Sequence, residues 1–137
     1  LQAKLRLGKR TAEFTALVDT GNTLTDPVSG RPVMVAEGDS VSGLFPECRR
    51  PRAADLMDPA GAMARLGTGE WKGRFRLLPY RAVGVDRGLL LALKVDSLNL
   101  GGKERGPLLV ALSPTPVSDG GGYRALIGPL DGKDECT

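Results

Sequence analysis

Glycine and proline punctuate this chain densely, 19 and 10 among 137 residues. That spacing favours many short strands joined by turns over a bundle of helices. The apolar stretches between the breaks agree. Leu5 and Leu7 fall on one face of a strand over 1–7, and Gly8-Lys9 makes a two-residue turn into a second strand, Thr11–Val18. Leu24–Arg31 holds Asp26-Pro27 and Ser29-Gly30 and reads as loop and turn, followed by a short strand over Pro32–Ala36. Further strands are predicted at Gly73–Leu78, Leu89–Val95, Leu98–Leu100, Leu108–Leu112 and Tyr123–Ile127. Between Glu37 and Gly69 the pattern weakens, although Asp58-Pro59 fits the start of a short helix with Asp58 as its N-cap. The length fits one domain over residues 1–137, and aromatics at 4% leave Leu, Val and Ala to build its core.

Composition narrows the chemistry. There is no histidine, which removes imidazole metal sites and the hydrolases that use histidine as base. No phosphate-binding glycine loop is present. A formal net charge of +3 does not point to nucleic acid, and the densest basic cluster, Arg49, Arg50 and Arg52, lacks interleaved aromatics and reads as a solvated loop. Cys48 and Cys136 fit no metal spacing, and two free thiols is the simpler expectation. The apolar runs are too short to cross a bilayer. A start at Leu1 rather than methionine leads to the expectation that the chain is a soluble piece of a longer parent.

Asp19-Thr20-Gly21, at the end of the apolar strand Phe14–Val18, is the one motif with a mechanism attached. A carboxylate at a loop tip can reach substrate. The adjacent hydroxyl can bond backbone across a symmetry axis, and glycine leaves room for a partner carboxylate. The same tripeptide also fits a turn or N-cap in which Asp19 accepts backbone N–H groups, and both readings stay open on the tripeptide alone. Asn22 orients the loop, touches substrate or closes a local turn. A second apolar pair followed by glycine, Leu126-Ile127-Gly128, comes near the end.

With these residues in view, the sequence resembles the sporulation sigma-E factor processing peptidases, the SpoIIGA family. The resemblance is carried by Ala16-Leu17-Val18-Asp19-Thr20-Gly21-Asn22, by Leu24, Asp26-Pro27 and Pro32–Val35, and by Leu78-Pro79-Tyr80-Arg81-Ala82-Val83-Gly84 with Gly88–Ala92. More loosely, the order of elements is similar to retroviral aspartic proteases, where an apolar-apolar-Gly strand returns near the catalytic loop. The resemblance implies a mostly β, retropepsin-like half-barrel with a flap hairpin and one or two short helices. It implies Asp19 as catalytic residue, supported by Thr20, Gly21 and Asn22, and a flap over Pro79–Gly88 in which Tyr80, Arg81, Ala82, Val83 and Gly84 meet substrate. Leu126, Ile127 and Gly128 become the return strand.

The chain has only one Asp-Thr-Gly, so an aspartic mechanism requires a second chain, a homodimer with Asp19 of each subunit at the axis. Two such carboxylates share one proton and activate water, with no metal and no cofactor. By resemblance the substrate is the pro-sequence of a sporulation sigma factor, and a secreted signal protein is the activating partner. The same resemblance implies a parent in the membrane of the forespore–mother cell septum, with this domain facing the cytoplasm. The competing expectation is a non-catalytic β-domain that binds an extended peptide by strand addition, with Asp19 a turn residue.

Overall fold

The computed structural model describes residues 1–19, 24–82, 85–118 and 120–129, without the side chains of 80–82 and 85–87. In chain order the strands are β1 (Gln2–Leu7), β2 (Arg10–Val18), β3 (Met34–Glu37), β4 (Phe75–Ala82), β5 (Val85–Val95), β6 (Ser97–Leu100), β7 (Lys103–Glu104), β8 (Leu108–Ser113) and β9 (Ala125–Ile127). Two short helices, α1 (Ala53–Leu56) and α2 (Pro59–Leu66), lie between β3 and β4. The fold is mostly β, as the glycine and proline spacing predicts. Among the described residues all nine strands join one sheet, in the order β4-β5-β8-β3-β9-β2-β1-β6-β7.

The first hairpin follows directly from its sequence. Ala3, Leu5 and Leu7 of β1 and Ala12, Phe14 and Ala16 of β2 alternate into the core, and Gly8 turns the chain at φ +63°. Asp96 closes this corner from below. It accepts the Gly8 N–H at 2.7 Å and the Arg74 guanidinium at 3.0 Å, and these bonds hold its carboxyl below its ordinary pKa.

The hairpin of β4 and β5 is longer than the sequence pattern predicts. Pairing continues through Pro79↔Leu89 and Tyr80↔Gly88 to Ala82↔Val85, with a register shift between Tyr80 and Ala82. Pro79 does not end β4 because β4 is an edge strand, where a missing backbone donor is tolerated. The two-residue β7 has too little pattern to be seen in the sequence; it follows Gly101-Gly102, both at positive φ.

Between β3 and β4, three short 3-10 segments accompany the helices: Gly38–Leu44, Glu47–Arg49 and Gly69–Trp71. Here Val41, Leu44 and Phe45 are fully buried, and Phe45 stacks on Trp71 and Phe75 at 5.2 and 6.2 Å between ring centres. α2 begins at Pro59, and the Asp58 side chain accepts the Gly61 N–H. The basic cluster is not simply solvated. Arg49 donates to Leu66 O and Thr68 Oγ1, both at 2.9 Å, and Arg50 to Ser42 O at 3.2 Å, so these side chains tie separate turns together. Cys48 is an exposed free thiol, and Cys136 lies outside the described residues.

The sheet buries side chains on both faces. The main core gathers β1, β2, the helices and one face of β5 and β8. A smaller cluster on the other face consists of Val33, Leu78, Ala92, Leu109 and Ala111, flanked by Leu24, Val35 and Leu90. β8 accordingly is buried from Leu108 through Leu112 with no alternation. Among the described residues no helix is long and apolar enough to cross a membrane.

Candidate active site

β2 delivers Asp19. Its last residues run parallel to β9 with Ala16↔Ala125, Leu17↔Leu126 and Val18↔Ile127, and the Asp19 N–H extends this ladder to Ile127 O at 2.8 Å. β9 in turn pairs antiparallel with β3 through Val35↔Leu126. The strand that enters the Asp-Thr-Gly loop and the strand that leaves it are therefore not neighbours, because β9 lies between them.

The registers also fix which way the residues face. Leu17, Leu126, Val35, Ala111 and Ala92 form one row across five strands, on the face that carries the smaller cluster. Asp19 is two residues beyond Leu17, so strand alternation puts it on that same face, where it is half-buried. Leu126 lies on this face too and is half-buried, whereas Ile127 is fully buried in the main core and Gly128 is buried. The described pairings thus bring Asp19 together with Leu126, Ile127 and Gly128.

They do not join the β4–β5 hairpin tip to Asp19. Tyr80, Arg81 and Ala82 belong to β4 by their backbone, while Val83 and Gly84, like Thr20, Gly21 and Asn22, lie outside the described residues.

The chain is described again from Leu24, whose carbonyl accepts the Val33 N–H at 3.0 Å. A small hairpin follows, with Thr25 bridged to Pro32 and the Asp26 N–H bonded to Arg31 O at 2.9 Å. Asp26 Oδ1 takes the Val28 N–H at 2.9 Å, the local turn that Asp-Pro predicts. Arg31 anchors the hairpin on the segment before β8, donating to Pro107 O at 2.7 Å and Arg105 O at 2.8 Å. Between this hairpin and the starts of β4 and β8 lies a groove of about 440 Å³.

Arg124, to which the sequence assigns no role, pins the opposite end of β9. Its N–H donates to Thr15 O at 2.8 Å and its carbonyl accepts from Glu37 N at 3.0 Å. Its guanidinium meets Glu37 at 2.7 Å and Asp39 at 2.5 Å, and these carboxylates raise its pKa further. Partners so distant in the chain leave no local signature. No group of three His, Cys, Asp or Glu side chains among the described residues is placed to hold a metal ion.

Against known proteins, a family model described as sporulation factor SpoIIGA matches residues 1–130. The chain belongs to this family. Two relatives are named sporulation sigma-E factor-processing peptidase. The one from Priestia megaterium is 30% identical over 138 residues, covering 94% of this chain and 43% of the relative. The one from Bacillus subtilis is 32% identical over 134 residues, covering 93% and 43%. A third, from Bacillus thuringiensis subsp. kurstaki, is named putative sporulation sigma factor-processing peptidase and is 27% identical over 133 residues, covering 94% and 81%. The chain spans less than half the length of the first two relatives. No solved structure matches the chain.

Proposed function

We propose that this domain is the catalytic part of an aspartic endopeptidase that removes the pro-sequence of a sporulation sigma factor, acting as a homodimer with one Asp19 from each subunit. The observation that carries the reading is the seating of Asp19. It directly follows the apolar end of β2, bonds β9 through its backbone, and lies on the sheet face that carries the smaller apolar cluster. The names of the relatives supply the substrate class.

In this scheme two Asp19 carboxylates roughly 3 Å apart share one proton. The ionised one takes a proton from water as that water attacks the scissile carbonyl. The protonated one hydrogen-bonds the carbonyl oxygen as charge develops there. Thr20 and Gly21 support the loop, Asn22 orients it, and the β4–β5 hairpin, with Tyr80 to Gly84, closes over substrate like the flap of a retropepsin. A membrane-anchored parent at the septum would hold two copies together by raising their effective concentration, and a secreted signal protein would switch the pair on.

Strand addition to a sheet edge is the competing reading, and β4, the longer of the two edge strands among the described residues, is poorly suited to it. Arg76 Nη1 occupies the carbonyls of Gly73 and Phe75 at 2.5 and 3.0 Å, and Pro79 removes a donor further along. The deciding experiment co-expresses the full-length protein with a pro-sigma factor and compares wild type with Asp19→Ala and Asp19→Asn. Loss of processing with both variants still folded upholds the dyad; unchanged processing ends it.

A further inference from the structure

The groove between the Thr25–Pro32 hairpin and the sheet has a chemistry of its own. Its floor is apolar, with Leu78 and Leu109 shared with the smaller cluster. Its charged lining is lopsided: Arg31, Arg76 and Lys94 against the single carboxylate of Asp26. Asp26 is already engaged by the Val28 N–H, and no ion pair joins it to any of the three cations among the described residues. Arg31 and Arg76 spend hydrogen bonds on backbone carbonyls, which fixes their positions without neutralising their charge. Lys94 is exposed and its ammonium has no carboxylate partner among the described residues.

The groove is also aligned with Asp19. Continuing the registers by one residue, or by two between β3 and β9, sets Asp19 level with Gly128, Val33, Leu109 and Lys94, on one row across the sheet. Four strand spacings of ~4.8 Å separate the two ends, about 19 Å before the curl of the sheet shortens it. An extended peptide rises ~3.4 Å per residue, so it covers that distance in about four to six residues. The wall of the groove is the same connection that carries Asp19, resuming at Leu24 and turning back at Pro32.

We infer that this groove is an outer subsite for an acidic side chain of an extended peptide, about four to six residues from the bond that Asp19 addresses. The inference rests on the peptidase reading for the identity of the occupant as substrate, while the binding preference can be measured without cleavage. An apolar floor takes the stem of a glutamate, and the ring of cations takes its carboxylate.

The test uses the full chain carrying Asp19→Asn and two fluorescein-labelled extended decapeptides, identical except for glutamate or glutamine at those outer positions. Fluorescence anisotropy at low salt should show the glutamate peptide bound on the order of five-fold tighter, since a partly exposed charge pair contributes up to about 1 kcal/mol. The preference should shrink in high salt and also in Lys94→Gln, where Arg31 and Arg76 remain. In Lys94→Glu, where two cations face two carboxylates, it should be lost. Lys94 is exposed, so both variants should melt like the parent. Equal binding of the glutamate and glutamine peptides, or a preference indifferent to Lys94, overturns the inference. A Lys94-dependent preference in a wild-type protein that cleaves neither peptide upholds the subsite and defeats the peptidase. Cleavage of both peptides with equal kcat/KM does the reverse.

Discussion

Leu126 and Ile127 are neighbours in β9 that face opposite ways, so shortening each should produce a different failure. Ile127 is 0% exposed, packed in the main core between β2 and β3. Cutting it to alanine removes three carbon groups at about 0.8 kcal/mol each, and the cavity left behind brings the expected loss to about 3 kcal/mol. For a domain of this size that lowers Tm by about 10 °C. Leu126 is half-buried on the face that carries Asp19, so Leu126→Ala should cost only about 1 kcal/mol. On the proposed peptidase reading, its larger effect should fall on processing of the pro-sigma factor. Urea unfolding of both variants, alongside the processing assay at a temperature where both are folded, separates the two effects. If Ile127→Ala costs less than about 1 kcal/mol, or Leu126→Ala proves the more destabilising, β9 is not seated as described and the facing of Asp19 falls with it.

Three further outcomes follow from named contacts. Asp96 has a folded pKa below its ordinary value of 3.8, so its contribution is present above that value and lost as pH falls through the folded pKa. Asp96→Asn should therefore cost about 1 kcal/mol in urea unfolding near neutral pH, and progressively less as pH falls through the folded pKa. Gly43→Ala would set a Cβ 2.8 Å from the backbone oxygen of Thr11, and a loss of about 1–3 kcal/mol is expected by thermal melting. Arg124→Met should lower stability by about 1 kcal/mol, with a smaller difference at high salt, because the guanidinium is partly exposed; an unchanged melting temperature would remove it as the clamp on β9.

Much of this fold can be read from the chain, for reasons that are local. The alternation of Ala3, Leu5 and Leu7 with Ala12, Phe14 and Ala16 announces the first hairpin, and Gly8 places its turn. Asp58-Pro59 announces α2. What cannot be read is whatever depends on partners far away. β4 runs through Pro79 only because it is the edge, and edge position is a property of the whole sheet. The 3-10 segments near Val41 and Phe45 are held by burial against distant strands rather than by their own periodicity. For the site, Asp19 is legible as a motif and Leu126-Ile127-Gly128 as an echo of it, but their parallel pairing is not. The cationic groove is spread over Arg31, Arg76 and Lys94 on three separate elements. Its one sequence trace is the unbroken apolar run Leu108–Leu112, which signals a strand covered on both faces and hence a second surface to account for.

The insertion of β9 between β2 and β3 also dictates an order of events as the chain folds. β1 and β2 can close their hairpin as soon as they exist, whereas the end of β2 must wait for Ala125 to meet Ala16. Such distant pairing is slow, because the loop entropy is lost before the contact forms. On the ribosome, Asp19 would therefore sit on a strand whose neighbouring edge stays bare until β9 has been made. A nascent chain stalled before β9 should expose those edges to association with other chains. Asp19 would gain its backbone bond to Ile127 only once β9 is in place, so the seating of that residue depends on a strand made more than a hundred residues later.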